Sequence, residues 1–148
     1  MKQTRLQHRF VEYIPESIED GVLYISTEYR TMTHRCCCGC GAEVVTPLGP
    51  TDWRLIFDGK NVSIEPSVGS WSLPCRSHYW ITNGQVRWAE SWSHAQVARG
   101  RESDARAKRT YFENEVAERP ALVEAEQPKE PSRPWWQRML DAVRRSKP

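Results

Sequence analysis

Five cysteines constrain this chain more than any other feature. Four fall in the run Cys36-Cys37-Cys38-Gly39-Cys40, and the fifth, Cys75, lies in Pro74-Cys75-Arg76-Ser77-His78. Thiols packed so closely in sequence do not readily pair, because a disulfide needs Cα atoms about 4.4–6.8 Å apart with converging Cβ vectors. A disulfide framework instead spreads its cysteines to close loops. Clustered thiols point to metal or redox chemistry. Structural zinc takes four ligands in a tetrahedron, commonly Cys and His, brought by two short turns. The glycines between the thiols permit one such turn. Cys75-x-x-His78 offers the other pair, with Pro74 placed where a strand breaks into a turn. The expected zinc ligands are Cys38, Cys40, Cys75 and His78, with Cys36 next and Cys37 and His34 in reserve. The bland alternative is that one or two of these thiols are small buried hydrophobes.

The pattern around the thiols is β-rich. Phe10 to Ile14 alternates until Pro15 stops it, and Val22 to Thr27 is rich in β-branched and aromatic residues. Ala42 to Pro47 forms a further short run. Trp53 to Phe57 and Val62 to Ile64 flank a turn at 58–61, which predicts a hairpin. Ser77 to Ile81 and Gln85 to Ala89 flank Asn83-Gly84, a dipeptide suited to the tightest hairpin turn. Beyond Trp92 the composition changes. Ser93 is placed to cap a helix from His94, and residues 101–118 carry charge on every side with only Tyr111, Phe112 and Val116 to bury. Residues 119–133 are rich in proline, Glu and Lys and read as a flexible linker. Trp135, Trp136, Met139, Leu140 and Val143 line one face of a short amphipathic helix over 134–146, a face suited to a protein partner or to the chain's own domain.

The expected fold is therefore mainly β (α+β): a small antiparallel sheet of hairpins stapled by zinc, with C-terminal helices. The expected divisions are a β-rich zinc-binding domain over residues 1–92, a helical extension over 93–118, then the linker and the last helix.

Several function classes lose support. A net charge of +2 does not favour nucleic acid. No apolar run approaches the roughly 18–20 residues that span a bilayer. The N-terminus MKQTRLQHRF lacks the apolar core of a secretory signal, so the expected location is cytoplasmic. There is no phosphate-binding or dinucleotide fingerprint and no His-Glu-x-x-His. Ser77 and His78 are adjacent, and adjacent strand residues point apart, so they do not make a ready dyad. A spare thiol such as Cys36 or Cys40 near His34 is the better candidate nucleophile. Zinc with an open position would need a base such as Asp52 or Asp58, though both read more simply as turn residues.

The stretch 36–48 (CCCGCGAEVVTPL), then Asp52-Trp53, Pro66-Ser67-Val68-Gly69-Ser70-Trp71 and Pro74-Cys75-Arg76-Ser77-His78-Tyr79-Trp80-Ile81, resembles the bacterial family called "domain of unknown function 6527". The resemblance runs over roughly residues 8–115. It implies a setting beside bacterial ubiquitin-like conjugation, with a ubiquitin-like protein and E1- and E2-like enzymes as partners, and phage defence as its purpose. The family's Cys-x-Cys-Gly-Cys maps onto Cys36, Cys38 and Cys40, leaving Cys37 at a variable position. The function expected is a zinc-binding accessory or adaptor of such a pathway. The rival is a cysteine- or zinc-dependent peptidase that processes the ubiquitin-like protein or its conjugates.

Overall fold

The computed structural model describes residues 1–125, with side chains to residue 117. The linker beyond Ala125 and the expected partner-binding residues Trp135, Trp136, Met139, Leu140 and Val143 lie outside the described residues. Residues 1–108 form one compact unit, and residues from Arg109 onward belong to a second.

The first unit holds two four-stranded sheets rather than the single sheet expected. The first comprises β1 (Gln7–Phe10), β2 (Val22–Ser26), β3 (Thr31–Arg35) and β4 (Glu43–Pro47) in that order. The second comprises β5 (Arg54–Phe57), β6 (Val62–Gly69), β7 (His78–Thr82) and β8 (Gln85–Trp88), also in order. All neighbours are antiparallel except β1, which runs parallel to β2 with Gln7 opposite Val22. The predicted hairpins β5–β6 and β7–β8 are present, the latter turning between Thr82 and Gln85.

One hydrophobic core joins the inner faces. Leu23, Ile25 and Met32 from the first sheet meet Val62, Ile64, Val68, Tyr79 and Ile81 from the second. Alternation along β7 explains the division of labour. Tyr79 and Ile81 face inward and are buried, whereas Trp80 and Thr82 face outward and are exposed. Buried Cys36 and Cys37 join the same core.

A polar pair sits in this core. The Nε2 atom of His34 lies 2.8 Å from the Tyr79 hydroxyl, and its Nδ1 has no partner among the described residues. Burial pushes the imidazole pKa down from 6.5 to about 4, because its charged form is poorly solvated there. The unfolded chain takes up this proton near 6.5, while the folded chain resists until about 4. Stability from the neutral ring is therefore intact above the unfolded pKa and falls as the pH drops from 6.5 toward 4. The loss expected from this one group is about 3 kcal/mol, at 1.36 kcal/mol per pKa unit. Urea melts at pH 7 and pH 4.5 should show a smaller acid loss for His34→Gln than for the natural chain. Equal acid losses would refute the assignment.

Helix α1 spans His94–Ala125 and so continues through Pro120, beyond the expected end at residue 118. Ser93 caps it as predicted: the Gln96 N–H donates to Ser93 Oγ at 3.3 Å and the Ser93 N–H donates to Gln96 Oε1 at 2.8 Å, a reciprocal capping box. Its first turns belong to the unit that carries the sheets, where Val97 is buried. Within the second unit Tyr111, Phe112 and Val116 are exposed.

Candidate functional site

Two clusters draw on the short segment 70–77, which links β6 to β7, and on His78 just beyond it. The first is the thiol cluster. The sulfurs of Cys36, Cys38, Cys40 and Cys75 all lie within 4.8 Å of one another. Cys36 and Cys38 are 3.4 Å apart, and Cys36 and Cys75 are 3.8 Å apart. These separations are much too long for a disulfide, and all five cysteines are free. A tetrahedral ion with metal–sulfur bonds of about 2.3 Å sets its sulfurs roughly 3.8 Å apart, so the donor set fits a thiolate-bound ion. The local sequence explains the convergence. Cys36 follows directly on β3, and the Gly39 N–H donates to the Cys36 carbonyl at 3.0 Å, closing a turn. Gly39 has φ of 84°, and a Cβ there would meet the Met1 backbone at 2.8 Å, so this position takes no side chain.

The thiols differ in acidity. Burial, with hydrogen bonds to the Cys40 and Cys36 sulfurs, pushes Cys38 up to about 12. Burial opposes ionisation of Cys75 too, but bonds from the Ser77 N–H and hydroxyl and from the Cys38 and Cys40 thiols outweigh it and bring Cys75 down to about 7. The Ser77 hydroxyl lies 3.0 Å from the Cys36 sulfur and 3.6 Å from that of Cys75. Were these sulfurs ionised, its single proton could be donated to one of them, an outer hydrogen bond of the kind that orients metal ligands.

Two expected members of the cluster are elsewhere. Cys37 points into the core, where burial raises its pKa to about 12. His78 is not in the group either, so the assembled set is four thiols rather than three thiols and an imidazole. The reason lies in the strand. His78 opens β7 and shares the outer face of the second sheet with Trp80, so its ring is turned away from the sulfurs.

That ring belongs to the second cluster. His78 Nε2 lies 2.9 Å from the hydroxyl of Ser67, and Nδ1 lies 3.2 Å from the carbonyl of Glu90. A carbonyl only accepts, so Nδ1 must carry the proton; Nε2 is then bare and the Ser67 hydroxyl donates to it. This is the tautomer in which an imidazole serves as general base to a serine.

Ser67 reaches His78 because β6 is irregular. Ile64 pairs with Ile81 and Val68 with Tyr79, so four residues of β6 span two of β7. The extra residues form a bulge that lifts Pro66 and Ser67 out of the ladder. The Ser67 carbonyl accepts from the Trp53 indole N–H at 3.4 Å.

Aromatic rings wall the imidazole in. Trp71 stacks on Trp92 with centroids 5.3 Å apart, and both pack against His78, at 4.9 and 5.1 Å. Gly69 has no side chain because a Cβ there would come within 2.3 Å of the Trp71 indole. The segment that provides the Glu90 carbonyl is fastened twice: the Ala89 N–H donates to the His78 carbonyl at 2.9 Å, and Arg76 donates to the Trp92 carbonyl at 3.4 Å. Ser67 opens onto two hollows. One, of ≈ 230 Å³, is lined by His78, Trp71, Trp92 and the first turns of α1, and the other is an open groove of ≈ 820 Å³ toward Trp80.

The other expected sites have plainer explanations. His34 faces Tyr79 rather than a thiol, so it is no base for a cysteine nucleophile. Asp58 closes its turn by accepting from the N–H groups of Lys60 and Asn61, and Asp52 is paired with Lys108 at 2.6 Å.

A two-sheet β protein with a serine–imidazole pair in an aromatic cleft, beside a four-thiol cluster that could hold a metal ion, has the parts of a serine hydrolase. Its sequence matches, over residues 10–89, the family described as bacterial ubiquitination-like system serine protease (BubE), and the chain belongs to that family. The pathway is the one the resemblance implied, under a different family name, and the chemistry in that name is serine rather than cysteine or zinc. No curated protein and no solved structure matches the chain. No helix among the described residues is long and apolar enough to cross a membrane.

Sequence reasoning missed Ser67 altogether. The available signal was Pro66-Ser67-Val68-Gly69, a proline and a glycine inside a strand pattern, which marks a bulge.

Proposed function

We propose that this chain is a serine peptidase acting on the ubiquitin-like protein of a bacterial ubiquitination-like pathway, or on its conjugates, with Ser67 as nucleophile and His78 as general base. The single observation that carries this reading is the 2.9 Å contact between Ser67 Oγ and His78 Nε2, with Nδ1 held by the Glu90 carbonyl. Membership in a family described as a serine protease supports it.

The chemistry follows from the geometry. Ser67 Oγ attacks the substrate carbonyl as its proton passes to His78 Nε2. The resulting imidazolium gives that proton to the departing amine, leaving an ester on Ser67. Water, deprotonated by the same nitrogen, then attacks the ester, and the imidazolium returns that proton to Ser67 Oγ as the acid leaves. The Glu90 carbonyl does the orienting work that a carboxylate does in a triad: it fixes the tautomer and the ring plane. It is uncharged, so it stabilises the imidazolium less than an aspartate does.

In this reading the metal is zinc and its role is structural. Cys36, Cys38, Cys40 and Cys75 would hold it, and four protein thiolates leave no position for water. A purely accessory protein would have no use for a serine–histidine pair in a cleft, which disfavours the adaptor reading. Incubation with a fluorophosphonate probe, followed by peptide mapping, should place one adduct on Ser67, and His78→Ala should suppress it. A probe that labels no serine, or a different one, would overturn the assignment.

A further inference from the structure

The groove on the Trp80 side of Ser67 carries information about what the enzyme accepts. Its walls are Leu48, Trp53, Leu55, Pro66 and Trp80, all apolar, and Trp80 is 44% exposed with its ring open to the groove. Three ionic side chains also line it: Asp52, Arg54 and Glu65. Each of these charges is already answered. Arg54 bonds to Glu65 at 2.5 Å, directly across the β5–β6 ladder, and Asp52 bonds to Lys108 at 2.6 Å. A charged substrate side chain entering here would shed water without finding a free counter-charge, which is unfavourable. An apolar side chain would gain by covering tryptophan and leucine.

The shape is equally selective. β5 is an edge strand of its sheet, and its first residues, Arg54 and Leu55, form part of the groove. Trp53, just before the strand, is already paired with the backbone of Pro47 and Gly49, so an extended peptide would pair with the main chain beyond it, with alternate side chains seated in pockets. Ser67 is one of its lining residues, so the groove is continuous with the serine proposed to react. Its ≈ 820 Å³ lies within the range that binding clefts commonly occupy.

We infer that this groove is the principal substrate subsite and binds an extended, uncharged, apolar-rich segment of the polypeptide on one side of the scissile bond. This inference rests on the peptidase reading and names the substrate chemistry of the same site. The Arg54–Glu65 pair is then a specificity element. By neutralising Glu65, Arg54 keeps the groove from attracting basic segments.

The test uses the full chain carrying Ser67→Ala, so that substrate binds without turnover. Fluorescein-labelled decapeptides, identical except for a central Leu-Val, Lys-Lys or Glu-Glu pair, are titrated by anisotropy at 0.15 M salt. The Leu-Val peptide should bind about tenfold or more tightly than either charged one. Adding Arg54→Ala leaves Glu65 unpaired and should raise affinity for Lys-Lys relative to Leu-Val several-fold, with no such gain for Glu-Glu. Equal affinity for all three peptides, binding of none, or an unchanged Lys-Lys to Leu-Val ratio after Arg54→Ala would overturn the inference. Fluorophosphonate labelling of natural Ser67 is read separately. Labelling without peptide discrimination sinks the groove and leaves the serine chemistry standing, whereas no labelling sinks the peptidase reading itself.

Discussion

Ser67→Ala is expected to reduce cleavage of a fusion to the pathway's ubiquitin-like protein by on the order of 10⁴-fold or more, with unfolding temperature and metal content unchanged. The size follows from the pair acting as one device. Ser67 attacks poorly without a base to take its proton, and His78 has nothing to activate without the hydroxyl 2.9 Å away. His78→Ala should therefore cost about as much as Ser67→Ala, and the double variant should be little worse than either. That non-additivity distinguishes a catalytic unit from two residues that merely support the fold, whose effects would sum. The same assay addresses the thiol alternative. Cys40 is the most exposed of the cysteines, and a thiol enzyme would survive Ser67→Ala. A Ser67→Ala chain within tenfold of natural activity would return the chemistry to the cysteines. Arg76 gives a graded companion measurement. It fastens the segment that carries the Glu90 carbonyl, so its loss should lower kcat more than it raises KM.

How far the sequence alone reaches depends on the range of the interaction that decides each element. The two hairpins of the second sheet were legible because alternation and turn residues are local signals. β3 was not, because Thr31–Arg35 contains one large apolar residue, Met32, and its buried Thr33 and His34 are polar. A core strand that buries a hydrogen-bonded histidine gives no hydrophobic pattern. The alternation over 10–14 points past the first strand, Gln7–Phe10, whose pairing is parallel and non-local, with β2 as partner. The site divides in the same way. The thiol run was visible as spacing, and Cys-x-x-His suggested His78 as the last ligand. Which way His78 points depends on β7 beginning at that residue, and its partner Ser67 is delivered by a bulge opposite. Neither fact has a spacing rule. The surplus of thiols leaves both a closed metal site and a free cysteine nucleophile open in the sequence; the gathering of four sulfurs and the turn of the imidazole toward a serine favour the first.

If Ser67 and His78 act as proposed, the thiol cluster should control their alignment, and removing the ion it would hold is the way to show this. Protein purified without chelator is expected to hold about one zinc per chain. Removing it with a strong chelator, or replacing Cys75 with serine, should lower the unfolding temperature by on the order of 10 °C or more and abolish peptidase activity. The ion would touch no substrate, so the loss would be transmitted by structure. Cys75 stands three residues before His78, and the Ser77 hydroxyl is shared with the sulfurs of Cys36 and Cys75. From the same turn Arg76 reaches the Trp92 carbonyl and Trp71 packs on the imidazole. Releasing Cys75 therefore frees both sides of the ring that must stay aligned with Ser67. Exchange of zinc for cadmium separates a structural ion from a catalytic one. A structural thiolate site should keep kcat within a few-fold after exchange, because cadmium also accepts four sulfurs, whereas a metal that activates water would alter both kcat and its pH dependence. Full activity and an unchanged melt in the metal-free chain would show that the four sulfurs need no ion to hold the turn.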